Sequence, residues 1–68
     1  MDTQDLVRMV NQIAGFFQSY PHDEAVKETA DHIKKFWEPR MRAALKEIVA
    51  KPDSGLAGIA LEAARAAS

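Results

Sequence analysis

The chain has 68 residues, no cysteine, and ten acidic against nine basic residues, for a formal net charge of −1. A single domain of this length buries only about 60% of the surface that its unfolded chain exposes, so its stability usually needs a staple or a partner. The missing cysteines exclude a disulfide framework and thiolate-based zinc or iron–sulfur sites, and the near-neutral charge argues against a general nucleic-acid binder.

The first predicted element is an amphipathic helix over residues 3–20, with Thr3 as its N-cap. At 100° per residue its apolar side chains fall on one side; they are Leu6, Val7, Met9, Val10, Ile13, Ala14, Phe16, Phe17 and Tyr20. This apolar arc approaches half of the circumference, whereas one packing partner needs roughly 100°. We therefore expect the helix to pack on two sides, one of which could belong to another protein.

A second helix is predicted from the turn at Pro21 to Trp37, because the residue before a proline leaves the α region. Its apolar stripe continues in phase past Glu38-Pro39 into residues 39–50, so two interpretations are open. The chain could form one kinked helix, or it could turn a tight corner with Pro39 at the first position of a third helix. The corner is favoured, because a short chain gains more by folding back on itself than by remaining a rod.

The last predicted segment follows a loop over residues 51–55 and is rich in alanine. Asp53 or Ser54 would cap it, and it would either dock as a helix or remain a tail over residues 54–68. The expected fold is thus all-α, a small bundle of three to four short helices with a proline corner at 38–39. It would be one domain over residues 1–68, with its core in residues 3–50.

Catalytic and metal-binding patterns are missing from the sequence. His22 and His32 are ten residues apart and lack the spacing of metal ligands on one helix face. No serine lies in a nucleophile motif, and the three glycines form no phosphate-binding loop. We expect no enzymatic activity, no cofactor and no metal. The chain also lacks a signal-peptide pattern and a bilayer-spanning apolar run, so a cytoplasmic protein without membrane contact is expected.

Candidate binding residues cluster around the predicted corner, at Phe36, Trp37, Arg40, Met41 and Arg42. Aromatic residues at helical spacing usually belong to the core, and a run of charges is usually a solvated face. However, tryptophan and arginine are also enriched where proteins bind each other, and two guanidinium groups beside a rigid proline suit carboxylates, or phosphates, on a partner. We therefore interpret these five residues as a partner-binding site, with core packing favoured for Trp37.

The order of several short motifs resembles the delta subunit of soluble, NAD-dependent, molybdenum-containing formate dehydrogenase. The motifs are Val7-Arg8-Met9-Val10-Asn11-Gln12-Ile13-Ala14, Phe16-Phe17, Tyr20-Pro21, Asp31-His32-Ile33 and, as the most specific, Phe36-Trp37-Glu38-Pro39-Arg40-Met41-Arg42. The resemblance implies a non-catalytic accessory subunit. It would associate with the alpha subunit, which carries the molybdopterin cofactor and iron–sulfur clusters, and support assembly, stability or cofactor insertion. Other subunits would carry flavin and bind NAD.

Two further functions stay open on the sequence. A free-standing helical regulator could bind nucleic acid or a nucleotide through Arg40, Arg42 and Lys46, although no aromatic interleaving supports this. Alternatively, the wide apolar arc of the first helix could be buried against a second copy of the chain.

Overall fold

The fold, seen in a computed structural model that describes residues 2–68, consists of four helices. They are α1 (Thr3–Phe17), α2 (His22–Phe36), α3 (Pro39–Val49) and α4 (Gly58–Ala67), and the described residues contain no strand. The molecule measures 29 × 25 × 17 Å along its principal axes. The prediction of an all-α bundle of three to four short helices is confirmed, and the described residues form four. None of the helices within residues 2–68 combines the length and apolar character needed to cross a bilayer.

Helix α1 begins and ends at slightly different residues from those predicted. Its N-cap is Asp2, whose side chain accepts a hydrogen bond from the Gln4 backbone N–H at 3.4 Å, while Thr3 is the first helical residue. The helix ends at Phe17, and the Tyr20 N–H then donates to the Phe17 carbonyl at 3.0 Å. Because Pro21 disfavours the α conformation at Tyr20, the chain leaves the helix before it reaches that residue.

The proline corner is present, so the kinked-helix interpretation is wrong. Trp37 (φ −90°, ψ 137°) and Glu38 (φ −67°, ψ 155°) have extended backbones that separate α2 from α3. Pro39 occupies the first position of α3, where its missing N–H would have no intrahelical partner in any case and its fixed φ already suits a helix. The corner turns the chain back along α1 and places α3 beside it.

The alanine-rich segment forms a docked helix rather than a tail, and α4 makes its most extensive contacts with α2. The buried residues of these two helices are mostly small: Ala25, Thr29 and Ala30, with the larger Ile33, on α2, and Ala60, Ala63, Ala64 and Ala67 on α4. We call this contact the alanine seam. Small side chains allow two helix backbones to approach closely, so the seam is filled by methyl groups and backbone atoms.

The larger core residues form one cluster with Ala30 and the four buried alanines of α4. They are Leu6, Val10, Ile33, Trp37, Leu45, Ile48 and Leu56. Leu56 comes from the loop before α4, and Ser54 supports it there, because the Ser54 hydroxyl accepts a hydrogen bond from the Leu56 N–H at 3.2 Å. The predicted capping of α4 by Asp53 or Ser54 is wrong, because the helix begins at Gly58 and its N-cap, Ala57, makes no side-chain cap bond.

Gly55 allows the loop to approach α1 closely. Its φ is +89°, a conformation that other residues rarely adopt, and a Cβ built there would lie 3.3 Å from Cγ1 of Val7. Gly15, in contrast, lies exposed in α1, and a Cβ there would meet no atom within 4 Å.

Replacing the two glycines by alanine should therefore change the free energy of unfolding in opposite directions. We expect Gly55→Ala to lower the free energy of unfolding by about 1–3 kcal/mol, through backbone strain and the contact with Val7. Gly15→Ala should raise it by about 0.5–1 kcal/mol, because alanine loses less backbone entropy in a helix. Urea denaturation of both variants measures this, and an equal effect of the two would contradict the assigned loop conformation.

The alanine seam should not accept larger side chains. Ala63 is fully buried, whereas Ala66 on the same helix is exposed. We expect Ala63→Leu to lower the free energy of unfolding by about 1–3 kcal/mol, because the extra methylene groups force the packed helices apart. Ala66→Leu is the matched control and should change stability by less than about 0.5 kcal/mol. If thermal unfolding found the two variants equally stable, α4 would not be docked as described.

Candidate partner-binding surface

The adjacent aromatic residues at the corner lie in different environments. The Trp37 side chain is only 6% exposed and belongs to the core cluster, whereas Phe36 is 71% exposed. Phe36 is the last residue of α2, and Trp37 begins the extended corner. Since the helix ends between them, their side chains separate, and only Phe36 offers a large apolar surface to another molecule.

Arg40, Met41 and Arg42 form what we call the basic corner. Arg40 is exposed, and Met41 and Arg42 are half-buried. Arg40 and Met41 line a cleft of about 300 Å³, together with Leu6, Glu38 and Ala44. No carboxylate in the described chain lies within ion-pair distance of either arginine, and the buried Nε of Arg42 has no hydrogen-bond partner there. Exposed Arg40 could therefore bind a carboxylate from outside, whereas Arg42 is half-buried and does not line the cleft.

A second surface, which we call the aromatic patch, consists of Ile13, Phe16, Phe17, His32 and Phe36. The rings of Phe16 and Phe17 meet edge to face with centroids 5.0 Å apart, and those of His32 and Phe36 lie 4.7 Å apart. An apolar cleft of about 290 Å³ is lined by Gln12 and the first four residues of the patch. Phe16 is 76% exposed.

The aromatic patch was not among the sequence-predicted site residues, except for Phe36. Phe36 does not line the cleft beside Arg40. It lines a separate groove of about 230 Å³, together with Phe17, Glu28, Asp31, His32 and Lys35. The five predicted residues are thus divided: Phe36 belongs to the aromatic patch, Arg40, Met41 and Arg42 form the basic corner, and Trp37 lies in the core. One signal did indicate the patch: the apolar arc of the first helix is too wide for one packing partner.

The two histidines have separate surroundings. Nε2 of His22 lies 2.5 Å from Oε2 of Glu62, and this exposed contact links the start of α2 to α4. His32 packs against the Phe36 ring instead. Within residues 2–68, no three histidine, aspartate or glutamate side chains are grouped so that they could hold a metal ion.

Truncation of the two corner aromatics should separate a core role from a surface role. We expect Trp37→Ala to lower the free energy of unfolding by about 3–5 kcal/mol, because it leaves a large cavity among packed side chains. Phe36→Ala should change it by less than about 0.5 kcal/mol. Denaturant unfolding measures both, and comparable losses would show that Phe36 also contributes to the core.

Comparison with known families identifies one match. A family model described as the NADH-dependent formate dehydrogenase delta subunit, FdsD, matches residues 5–64. Searches of curated proteins and of solved structures gave no match. The matched region includes all of α2 and α3, both clefts and most of α1 and α4. The chain therefore belongs to the family of formate dehydrogenase delta subunits.

Proposed function

We propose that this chain is a non-catalytic accessory subunit that binds the catalytic alpha subunit of an NAD-dependent formate dehydrogenase and supports its assembly, stability or cofactor insertion. Other subunits would carry out the oxidation of formate to carbon dioxide and the reduction of NAD. The family membership gives the enzyme to which the chain belongs. Because the NAD pool that such an enzyme uses is intracellular, we propose the cytoplasm as its location.

The observation that carries this proposal is the exposure of two large aromatic side chains. Phe16 and Phe36 are 76% and 71% exposed, although the chain buries many of its alanines. Fully burying one such side chain contributes about 1.5–3 kcal/mol. Covering both side chains would therefore contribute a large part of the binding free energy of a complex, and this part does not depend on charge.

The basic corner would add specificity to that contact. Arginine binds carboxylates through two parallel hydrogen bonds, which fixes the orientation of the partner as well as attracting it. Arg40 and Arg42 have no such partner in the described chain, and Met41 lies between them in the sequence, half-buried in the cleft wall. Buried Trp37 would act indirectly, by holding Phe36 and the start of α3 in position.

Removing the two guanidinium groups should weaken binding to the alpha subunit. We expect the double variant Arg40→Ala, Arg42→Ala to recover roughly ten-fold less alpha subunit in co-purification, because charge pairs that are desolvated at an interface typically contribute well over 1.4 kcal/mol. The matched control is Lys46→Ala, Lys51→Ala, which removes the same charge at two exposed positions outside the clefts.

The same preparations test the assembly role. If the chain supports cofactor insertion, the molybdenum content and the formate-dependent NAD reduction of the enzyme should fall together with the recovered alpha subunit, while the lysine control stays unchanged. An undiminished yield of alpha subunit with the double arginine variant would contradict the role given to the basic corner.

A further inference from the structure

The cleft at the aromatic patch adjoins a second cavity at the junction of α1 and α2. The cleft is lined by Gln12, Ile13, Phe16, Phe17 and His32. The second cavity, which we call the carboxylate groove, is lined by Phe17, Glu28, Asp31, His32, Lys35 and Phe36. Because Phe17 and His32 line both, the two cavities meet at these side chains. One short segment of another molecule can therefore contact both.

The two cavities offer different chemistry. The cleft presents aromatic and aliphatic side chains, with Gln12 and His32 as its polar members. The carboxylate groove has two acidic side chains against one basic side chain, Lys35, so it keeps an excess of one negative charge when histidine is counted as neutral. Within residues 2–68, none of these three charged groups forms an ion pair. The two cavities together therefore suit an apolar side chain and a cation that lie side by side.

The placement of the carboxylates favours a bound cation. Glu28 and Asp31 are three residues apart on α2, and this spacing makes them neighbours on the helix surface. Asp31 is half-buried. A carboxylate that is partly withdrawn from water and has no partner gains more from an added cation than a fully solvated carboxylate does. The groove is thus a better place for a positive charge than an ordinary acidic surface.

Arginine fits this groove better than lysine does. The rings of Phe17 and Phe36 line the same groove as the two carboxylates. A guanidinium group is planar, so its face can stack on an aromatic ring while its edge donates two hydrogen bonds to a carboxylate. The ammonium group of lysine is a compact and strongly hydrated charge that has no such face. The combination of rings and carboxylates therefore selects a guanidinium group.

The described part of this chain does not itself carry the matching pair of side chains. Its exposed large apolar residues are Phe16, Tyr20 and Phe36, and none of them is next to an arginine in the sequence. The nearest arginine is Arg40, which follows Phe36 beyond the extended corner and lines a different cleft. The matching pair is therefore expected on another protein rather than on a second copy of this chain.

We propose that the aromatic cleft and the carboxylate groove together bind one short segment of the alpha subunit, in which an apolar side chain enters the cleft and a neighbouring arginine enters the groove. This inference rests on the proposed function, to which it adds the chemistry of the bound segment. The apolar side chain covers the exposed ring of Phe16, and the arginine pairs with Glu28 and Asp31.

Substitutions in the groove should change the affinity in opposite directions, according to their charge. The double variant Glu28→Gln, Asp31→Asn should raise the Kd for the alpha subunit roughly ten-fold. Lys35→Gln should lower the Kd, because it removes a cation that repels the arginine. Both effects should shrink at high salt, since exposed charges are screened. Glu47→Gln and Lys46→Gln, at exposed positions of α3 outside the cavities, are the matched controls and should leave the Kd unchanged.

The apolar half of the site should respond differently to salt. Phe16→Ala should raise the Kd roughly ten-fold, because it removes most of the apolar surface that the partner covers in the cleft. This increase should be the same at low and high concentrations of sodium chloride, since apolar burial does not depend on charge screening. The two halves of the site are thus separated by one titration series.

Cross-linking identifies the bound segment. The photoreactive residue benzoyl-phenylalanine replaces Gln12, an exposed residue of the cleft, in the full chain bound to the alpha subunit. Mass spectrometry should place the adduct in an alpha-subunit segment that contains an arginine. Replacing that arginine by glutamine should weaken binding, and the double variant Glu28→Gln, Asp31→Asn should then weaken it no further, because the interaction that it removes is already lost.

Several outcomes would overturn this inference and leave the proposed function intact. They are an unchanged Kd for the double carboxylate variant or for Phe16→Ala, a raised Kd for Lys35→Gln, an adduct on a second copy of this chain or on a segment without arginine, and a stable complex with no adduct. Failure of the unmodified chain to bind the alpha subunit at all would instead overturn the proposed function itself.

Discussion

The fold depends on the close packing of α4 against α2 along the alanine seam. Ala60, Ala63, Ala64 and Ala67 present a surface of methyl groups to α2, and the individually small dispersion contacts add up because the two helices are close. Helix α4 also contacts α1 and α3. Helix α4 therefore contacts all three of the other helices, and the seam is the most extensive of these contacts.

The distribution of the aromatic side chains is unfavourable for a self-sufficient domain of this size. The interior takes many alanines, while Phe16 and Phe36 remain exposed on the surface. A short chain has little apolar area to spare for stability, so leaving two of its three phenylalanines outside weakens the isolated fold. Such an arrangement is consistent with a subunit whose apolar surface is completed by a partner, as the family membership suggests.

Much of the fold could be predicted from periodicity and proline positions, because both act locally. The apolar stripe of α1 and the corner at Pro39 are examples. The cap of α4 was not predictable, since Ser54 bonds to the Leu56 N–H, the loop meets α1 at Gly55, and the helix starts only at Gly58. The candidate site was only partly predictable. Phe36 and Arg40 are close in the sequence and were therefore assigned to one site, but α2 ends at Phe36, and its side chain lines a groove with Phe17 of α1 instead. Exposure depends on such tertiary placement, which periodicity alone does not determine.

The composition of the seam has a consequence for local opening. Alanine has no side-chain rotamers to lose on burial, so docking α4 costs mainly the ordering of its backbone. Each alanine also contributes little dispersion energy, so the contact is stable only when all of its methyl groups are packed at once. If α4 detaches, it uncovers not only the methyl groups of the seam but also larger core residues on α1, α2 and α3, such as Leu6, Ile33 and Leu45, and it exposes its own Ile59 and Leu61. The partly opened chain would thus expose a contiguous apolar surface of the kind that promotes association between chains, so a docked α4 also protects the core from aggregation.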